Sequence, residues 1–343
     1  MLRQLWRLTR PVPAAGPNAL AVAIYEHPTG VVHAEESGFE GVACIDDTAR
    51  LLTVLCTLEA DTPPWVGRWA RGLLDFVLWM QEPDGSWINF VLNWDGDKNR
   101  TGITSEPGQN FWLARAMVAT QRAGWTFADP DAIEAYRRGL AVAAATEAPP
   151  DLRSLHLLTA LFGDDPEPIL VRRWADEIAA CRDGDVLKNS PYEVGAPHLW
   201  AHIQEGVLAL SSVMLEDPAL LDVAVRSAEA VIEPAVQERF ATTPSSLAYD
   251  VSSCVWSLDQ LALATGDQRW DRLATDARGW FDGRNAAGQP IYDRARGAVA
   301  DGIDHGRVSM NSGAESNIVA IAVFPREAIA VADRMQDPFA AVP

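Results

Sequence analysis

The chain has 343 residues, 48% of them hydrophobic, which is enough to bury one large core or two ordinary ones and excludes general disorder. Its 47 acidic and 28 basic residues leave a net charge of -19 at pH 7. A field of that sign repels phosphate backbones and anionic lipid, so neither nucleic acid nor a membrane is expected as a partner, and no apolar run is long enough to span a bilayer.

The first sixteen residues carry Arg3, Arg7 and Arg10 but no apolar stretch of the kind a secretory signal needs. Cys44, Cys56, Cys181 and Cys254 are widely spaced and form no CxxC pair, which reads as four reduced thiols and a cytoplasmic protein. Residues 1–39, ending in ALAVAIYEHPTGVVHAEESG, read as an extended segment laid over one rim of the domain that follows.

From about residue 40 two kinds of helix alternate. The first kind starts near Cys44 (ACIDDTARLLTVLCTL), Pro107, Asp151, Pro197, Ala248 and Ser312, and is apolar nearly all round, so it is buried on both sides. The second kind starts near Thr62, Asp129, Asp165, Asp217, Asp267 and Pro325 and keeps one charged face, as an outer shell does. Thr62, Asp129, Asp165 and Asp217 read as N-caps with proline at or just after the first helical position. Six inner and six outer helices at a spacing of roughly 40 to 65 residues fall in the range of helical-pair repeats. Closing them into a ring buries every inner helix, whereas an open solenoid needs a polar end repeat, and the last inner helix (IVAIAVF) has none. The fold class predicted is all-α, an (α/α)6 barrel spanning 40–343 as one domain. The Gly-punctuated stretches 82–106 and 282–311 read as short β-hairpins or long loops at the rim of the site.

In such a ring all inner helices point the same way, so their N-termini gather free N–H groups and partial positive charge at one end. Residues at those starts include Asp46, Asp47, Ser105, Glu106, Gln109, Asn110, Asp151, His198, His202, Tyr249, Asp250 and Glu315, with Trp87, Trp94, Tyr192 and Trp200 nearby. Aromatic faces stack on the C–H face of a pyranose, and carboxylates and amides bind hydroxyls. Cleavage of a glycosidic bond needs two carboxyl groups flanking it.

The alternating helices, with the motifs GVACIDDTAR, QEPDGSW, TSEPGQNFW and NSGAES, resemble the six-hairpin glycosidase superfamily. The resemblance implies an (α/α)6 toroid and carbohydrate chemistry at the N-terminal end of the inner helices. Most members of that superfamily are glycoside hydrolases, with lyases, phosphorylases and epimerases among them.

Weighed singly, each acid has a structural alternative. Asp46 and Asp47 also fit an N-terminal acid and an ion pair with Arg50, Glu106 and Asp250 fit caps, and Glu315 fits a capping box with Ser312. His198 and His202 share a helix face at i, i+4, but Leu199 follows His198, so no HExxH zinc motif exists and no metal or other cofactor is expected. The expected catalytic set is Asp47, Glu106, Asp250 and Glu315. The expected substrate-binding set is Asp46, Trp87, Trp94, Gln109, Asn110, Tyr192, His198, His202, Tyr249 and His305. The reading is a glycoside hydrolase acting on an oligosaccharide or polysaccharide. Alternatives are an epimerase or lyase relying on His198, His202, Tyr249 or His305 as base, and a non-catalytic carbohydrate-binding toroid. A terpene-cyclase-like barrel fits less well, because DDTAR lacks the third acid of a DDxxD site.

Overall fold

The computed structural model describes residues 1–27, 30–31, 40–162, 168–241 and 243–340. In chain order the helices are α1 (Leu2–Leu8), α2 (Ile45–Leu58), α3 (Pro64–Trp79), α4 (Phe111–Phe127), α5 (Pro130–Ala145), α6 (Pro150–Leu161) and α7 (Pro168–Ala180). They continue with α8 (Gln204–Met214), α9 (Pro218–Ser227), α10 (Glu233–Gln237), α11 (Ala248–Thr265), α12 (Gln268–Arg278), α13 (Ala314–Val323) and α14 (Pro325–Ala332). The chain divides into two compact units, one of residues 1–146, 293–299 and 310–343, the other of residues 147–292 and 300–309.

In the first unit α13 packs on α2 and α2 on α4, and each is backed by the helix that follows it, α14, α3 and α5. The start of the chain is helical as well as extended. Leu2, Leu5 and Leu8 of α1 are buried, and α1 packs on α13 and α14. Strand Thr9–Pro11 then pairs antiparallel with Leu20–Val22. The 82–106 stretch folds back on itself as expected, with Val91 bridged antiparallel to Lys98, and its strand Phe90–Val91 also pairs with Ala43–Cys44, the segment that opens α2.

The second unit repeats the plan, with α6 on α8, α8 on α11, and α7, α9 and α12 behind them. A three-stranded antiparallel sheet of Arg307–Val308, Gly302–Asp304 and Ser245–Leu247 sits at the start of α11. Helices α8 and α11 approach closely at Gly206, where an added methyl would overlap the Trp256 ring and the Ser257 backbone. Gly206→Ala is therefore expected to cost about 1–3 kcal/mol, read from urea unfolding, and an unchanged midpoint would contradict this contact.

Several helix starts differ from the sequence reading. α4 begins at Phe111, not at Pro107, because Asn110 accepts from Leu113 N at 3.0 Å and caps it. The residue before a proline is pushed to extended backbone, so Glu106 lies outside the helix. α8 begins at Gln204, not near Pro197, since Ala201 has φ +55° and interrupts any helix through His198 and His202. His198 and His202 consequently do not share a helix face. The cap of α3 is Pro63 and not Thr62, and that of α13 is Gly313. Ser312 instead donates to Val299 O at 2.8 Å, so it forms no capping box with Glu315. Asp129 and Asp217 cap their helices as read, and Asp267 caps the helix read to begin there. Asp165 lies outside the described residues, as do 32–39 of the N-terminal segment.

Cys44, Cys56 and Cys254 are buried free thiols, while Cys181 is half-buried. Burial pushes Cys56 up to about 12 and raises Cys44 and Cys254 well above the ordinary thiol range. Among the described residues no helix is long and apolar enough to cross a membrane, and no group of three or more His, Cys, Asp or Glu is placed to hold a metal ion.

Candidate functional site

In the first unit the N-terminus of α2 brings charges together. Its first turn carries Asp46 and Asp47, and Asn89 fixes the entry by accepting from Asp46 N at 3.2 Å. Arg50, one turn on, places a single guanidinium nitrogen 2.6 Å from Asp47 Oδ1 and 2.8 Å from Glu315 Oε2 at the start of α13. Arg115 of α4 approaches Asp46 Oδ1 at 2.7 Å. Three carboxylates from two inner helices are thus laced by two guanidiniums.

Burial sorts these acids. Asp47 is 3% exposed, whereas the Glu315 side chain is 40% exposed. Burial raises the Asp47 carboxyl from 3.8 to about 6, outweighing the opposing Arg50 contact, and the negative charges of Glu315 and Asp46 add to the rise.

Of the other expected residues in this unit, Glu106 is exposed on the loop leading to α4. Asn110 serves as a helix cap, and Gln109 Nε2 reaches Ala143 O at 3.4 Å. Trp87 is a correction: it is fully buried, donates to Val77 O at 2.9 Å and lies against Gly139, so it is a core residue and closed to a sugar. Trp94 is half-buried in the loop beyond it.

In the second unit a cleft of about 840 Å³ opens beside the 183–200 segment, with Lys188, Glu193, His198, Trp200 and Asp250 among its lining residues. The His198 ring stacks on Trp200 with centroids 3.9 Å apart and planes 8° apart. Its Nδ1 lies 3.0 Å from Trp200 O, which leaves Nε2 facing Asp151 Oδ2 at 3.7 Å, beyond a direct hydrogen bond. Burial lowers His198 and raises Asp151 to about 6, the nearby Glu193 charge adding to the latter. His198 is therefore a neutral imidazole near pH 7.

Beneath it lies a closed polar network. His202 is fully buried, with Nδ1 2.7 Å from Asn189 Oδ1 and Nε2 3.0 Å from Glu205 Oε1. Ser227 donates to Glu205 at 2.6 Å, and Asn189 donates to the His198 carbonyl at 2.8 Å. Burial alone would raise Glu205, but the contacts with His202 and Ser227 hold it below the usual carboxylate range. His202 is thus a correction to the expected binding set, since it is sealed inside the unit. Tyr192 is 90% exposed, and His305 sits on an exposed hairpin turn at φ +46°. Asp250 accepts from Leu247 N at 2.7 Å, the cap its position allows, while also lining the cleft; Tyr249 beside it is half-buried.

The sequence reading missed Arg115, Asn89, Asn189, Glu193 and Glu205. Glu205 did leave a signal: a lone acid, three residues after His202 and next to Gln204, at the head of the apolar run GVLAL.

No protein-family model matches the chain, and no curated protein matches it significantly. Solved structures do. A sugar epimerase from a ruminal bacterium is 11% identical, covering 90% of this chain and 92% of its own at a TM-score of 0.67. A D-mannose isomerase is 9% identical over 92% and 94% at 0.64. An α-mannanase of glycoside hydrolase family 76 from Bacteroides thetaiotaomicron is 12% identical over 85% and 88% at 0.57. At these identities the likeness shows the fold alone: an all-α (α/α)6 fold in which inner and outer helices alternate, with short antiparallel strand pairs among the described residues.

Proposed function

We propose that the protein is a carbohydrate-active enzyme that hydrolyses a glycosidic bond with the carboxylates at the start of α2 and α13. The observation that carries this is the sharing of Arg50 by Asp47 and Glu315. Contacts of 2.6 and 2.8 Å to one nitrogen limit the separation of those two oxygens to at most about 5.4 Å, shorter than the roughly 6.5–9.5 Å of an inverting pair. Asp47, raised to about 6, is suited to deliver a proton to the leaving oxygen, and the more exposed Glu315 to attack or stabilise the sugar. Asp46, ion-paired to Arg115, stands beside them as a hydroxyl acceptor.

A second reading rests on the other unit. Neutral His198, with Nε2 directed at Asp151, suits proton removal from the carbon next to a sugar carbonyl, as an epimerase or isomerase requires.

One experiment separates the two. Oligosaccharides and reducing sugars are incubated with the protein in D2O and followed by mass spectrometry, beside Asp47→Asn and His198→Ala variants. Cleavage products lost in Asp47→Asn support hydrolysis. Carbon-bound deuterium lost in His198→Ala supports isomerisation. Neither change, with sugar still bound, leaves a carbohydrate-binding protein and refutes both enzymatic readings.

A further inference from the structure

The cleft of the second unit has a chemistry of its own, independent of the carboxylate reaction proposed above. One wall is apolar, built by Ala230, Val231, Pro234, Ala235 and Phe240. The facing polar groups are mostly acceptors: the carboxylates of Asp183, Glu193 and Asp250, and the neutral His198 ring stacked on Trp200. Lys188, Thr243, Ser245 and Ser246 also line it, but the Lys188 ammonium donates to Gly195 O at 2.5 Å, the Thr243 hydroxyl to Ser245 O and the Ser245 hydroxyl to Asp304 Oδ1 at 2.6 Å. The lining therefore carries more negative than positive charge and offers a ligand few free donors.

Backbone strain is found on both sides of the cleft. Arg239 and Phe240 both take φ +57°, and Ala201, next to Trp200, takes φ +55°. These are three of the six non-glycine residues with positive φ among the described residues. The segment Ala228–Ile232, which supplies Ala230 and Val231, is a π-helical turn. Each such departure costs free energy that a plain helical hairpin would avoid, and Val231 and Phe240, which stand at two of them, both line the cleft.

We infer that this cleft binds an uncharged glycoside bearing an apolar aglycone. The sugar hydroxyls donate to Glu193, Asp250 and His198, and the aglycone lies against Val231, Pro234 and Phe240. Anionic sugars, such as uronates and sugar phosphates, are turned away by the surplus of carboxylates. A volume of about 840 Å³ accommodates a ring and an aglycone together.

Para-nitrophenyl thioglycosides of glucose, galactose and mannose, which resist hydrolysis, test this by equilibrium dialysis, so that the outcome does not depend on turnover. At least one is expected to bind tenfold or more tighter than its free sugar and than para-nitrophenyl thioglucuronide. Val231→Asp, and Ala230→Trp at an exposed position, should each reduce that binding at least tenfold with the thermal midpoint kept, and Glu193→Gln should narrow the discrimination against the glucuronide. The inference is overturned if no thioglycoside binds, if free sugar binds as well, if the glucuronide binds equally, or if both wall variants bind normally.

Discussion

Asp47→Asn is expected to lower kcat by about 10²–10⁴, the usual contribution of a positioned proton donor, while leaving the protein at least as stable near neutrality. The stability half follows from linkage. Asp47 titrates at about 6 in the folded chain against an ordinary 3.8, so between those values the folded state holds more proton than the unfolded one. The stabilisation from that bound proton is fully present below pH 3.8 and is lost as pH rises through 6. The shift corresponds to about 3 kcal/mol of stability given up by the wild type between pH 4 and pH 7, from which asparagine, having no charge to bury, is exempt. Urea unfolding of both proteins at the two pH values should show the difference moving in the variant's favour. Parallel profiles would remove Asp47 as a buried, late-titrating acid. In the same frame, the wild-type kcat/KM should fall as pH rises above 6, because the proposed reaction needs the protonated carboxyl.

Glu205→Ala should have the largest effect on stability, about 3–5 kcal/mol. Both Glu205 and His202 are fully buried, so truncating the acid strands the imidazole and the Ser227 hydroxyl without an acceptor. Glu205→Gln, which keeps an acceptor for each, should cost less than half as much. The damage should also reach the cleft, since Asn189 links His202 to the His198 carbonyl. A loss under 1 kcal/mol for Glu205→Ala in urea unfolding would mean that this network is not closed as described.

The fold was legible because its signal is repeated. Alternating apolar and one-faced helices, with Asp129, Asp217 and Asp267 capping outer ones, recur along most of the chain, and each instance reinforces the rest. Sites have no such redundancy. The cluster of Asp46, Asp47 and Glu315 could be proposed from helix order, and the i, i+3 relation of Arg50 to Asp47 is local. Arg115 could not, because its position opposite Asp46 depends on how α4 is rotated against α2. Trp87 shows the converse error: a tryptophan beside a polar loop reads like a sugar platform, yet tertiary packing closed it behind Gly139. Likewise, the spacing of His198 and His202 suggested a shared helix face, which the left-handed Ala201 between them abolishes.

The free thiols bear on a different matter, the mechanics of opening. Cys44 and Cys56 lie in one compact unit and Cys254 in the other, all buried and all pushed toward the unreactive protonated form. Alkylation of any of them reports a moment when its own surroundings come apart, so each half of the chain carries an internal clock. Labelling rates that coincide would describe a molecule that breathes as one cooperative body. Rates that separate would describe two halves able to loosen in turn.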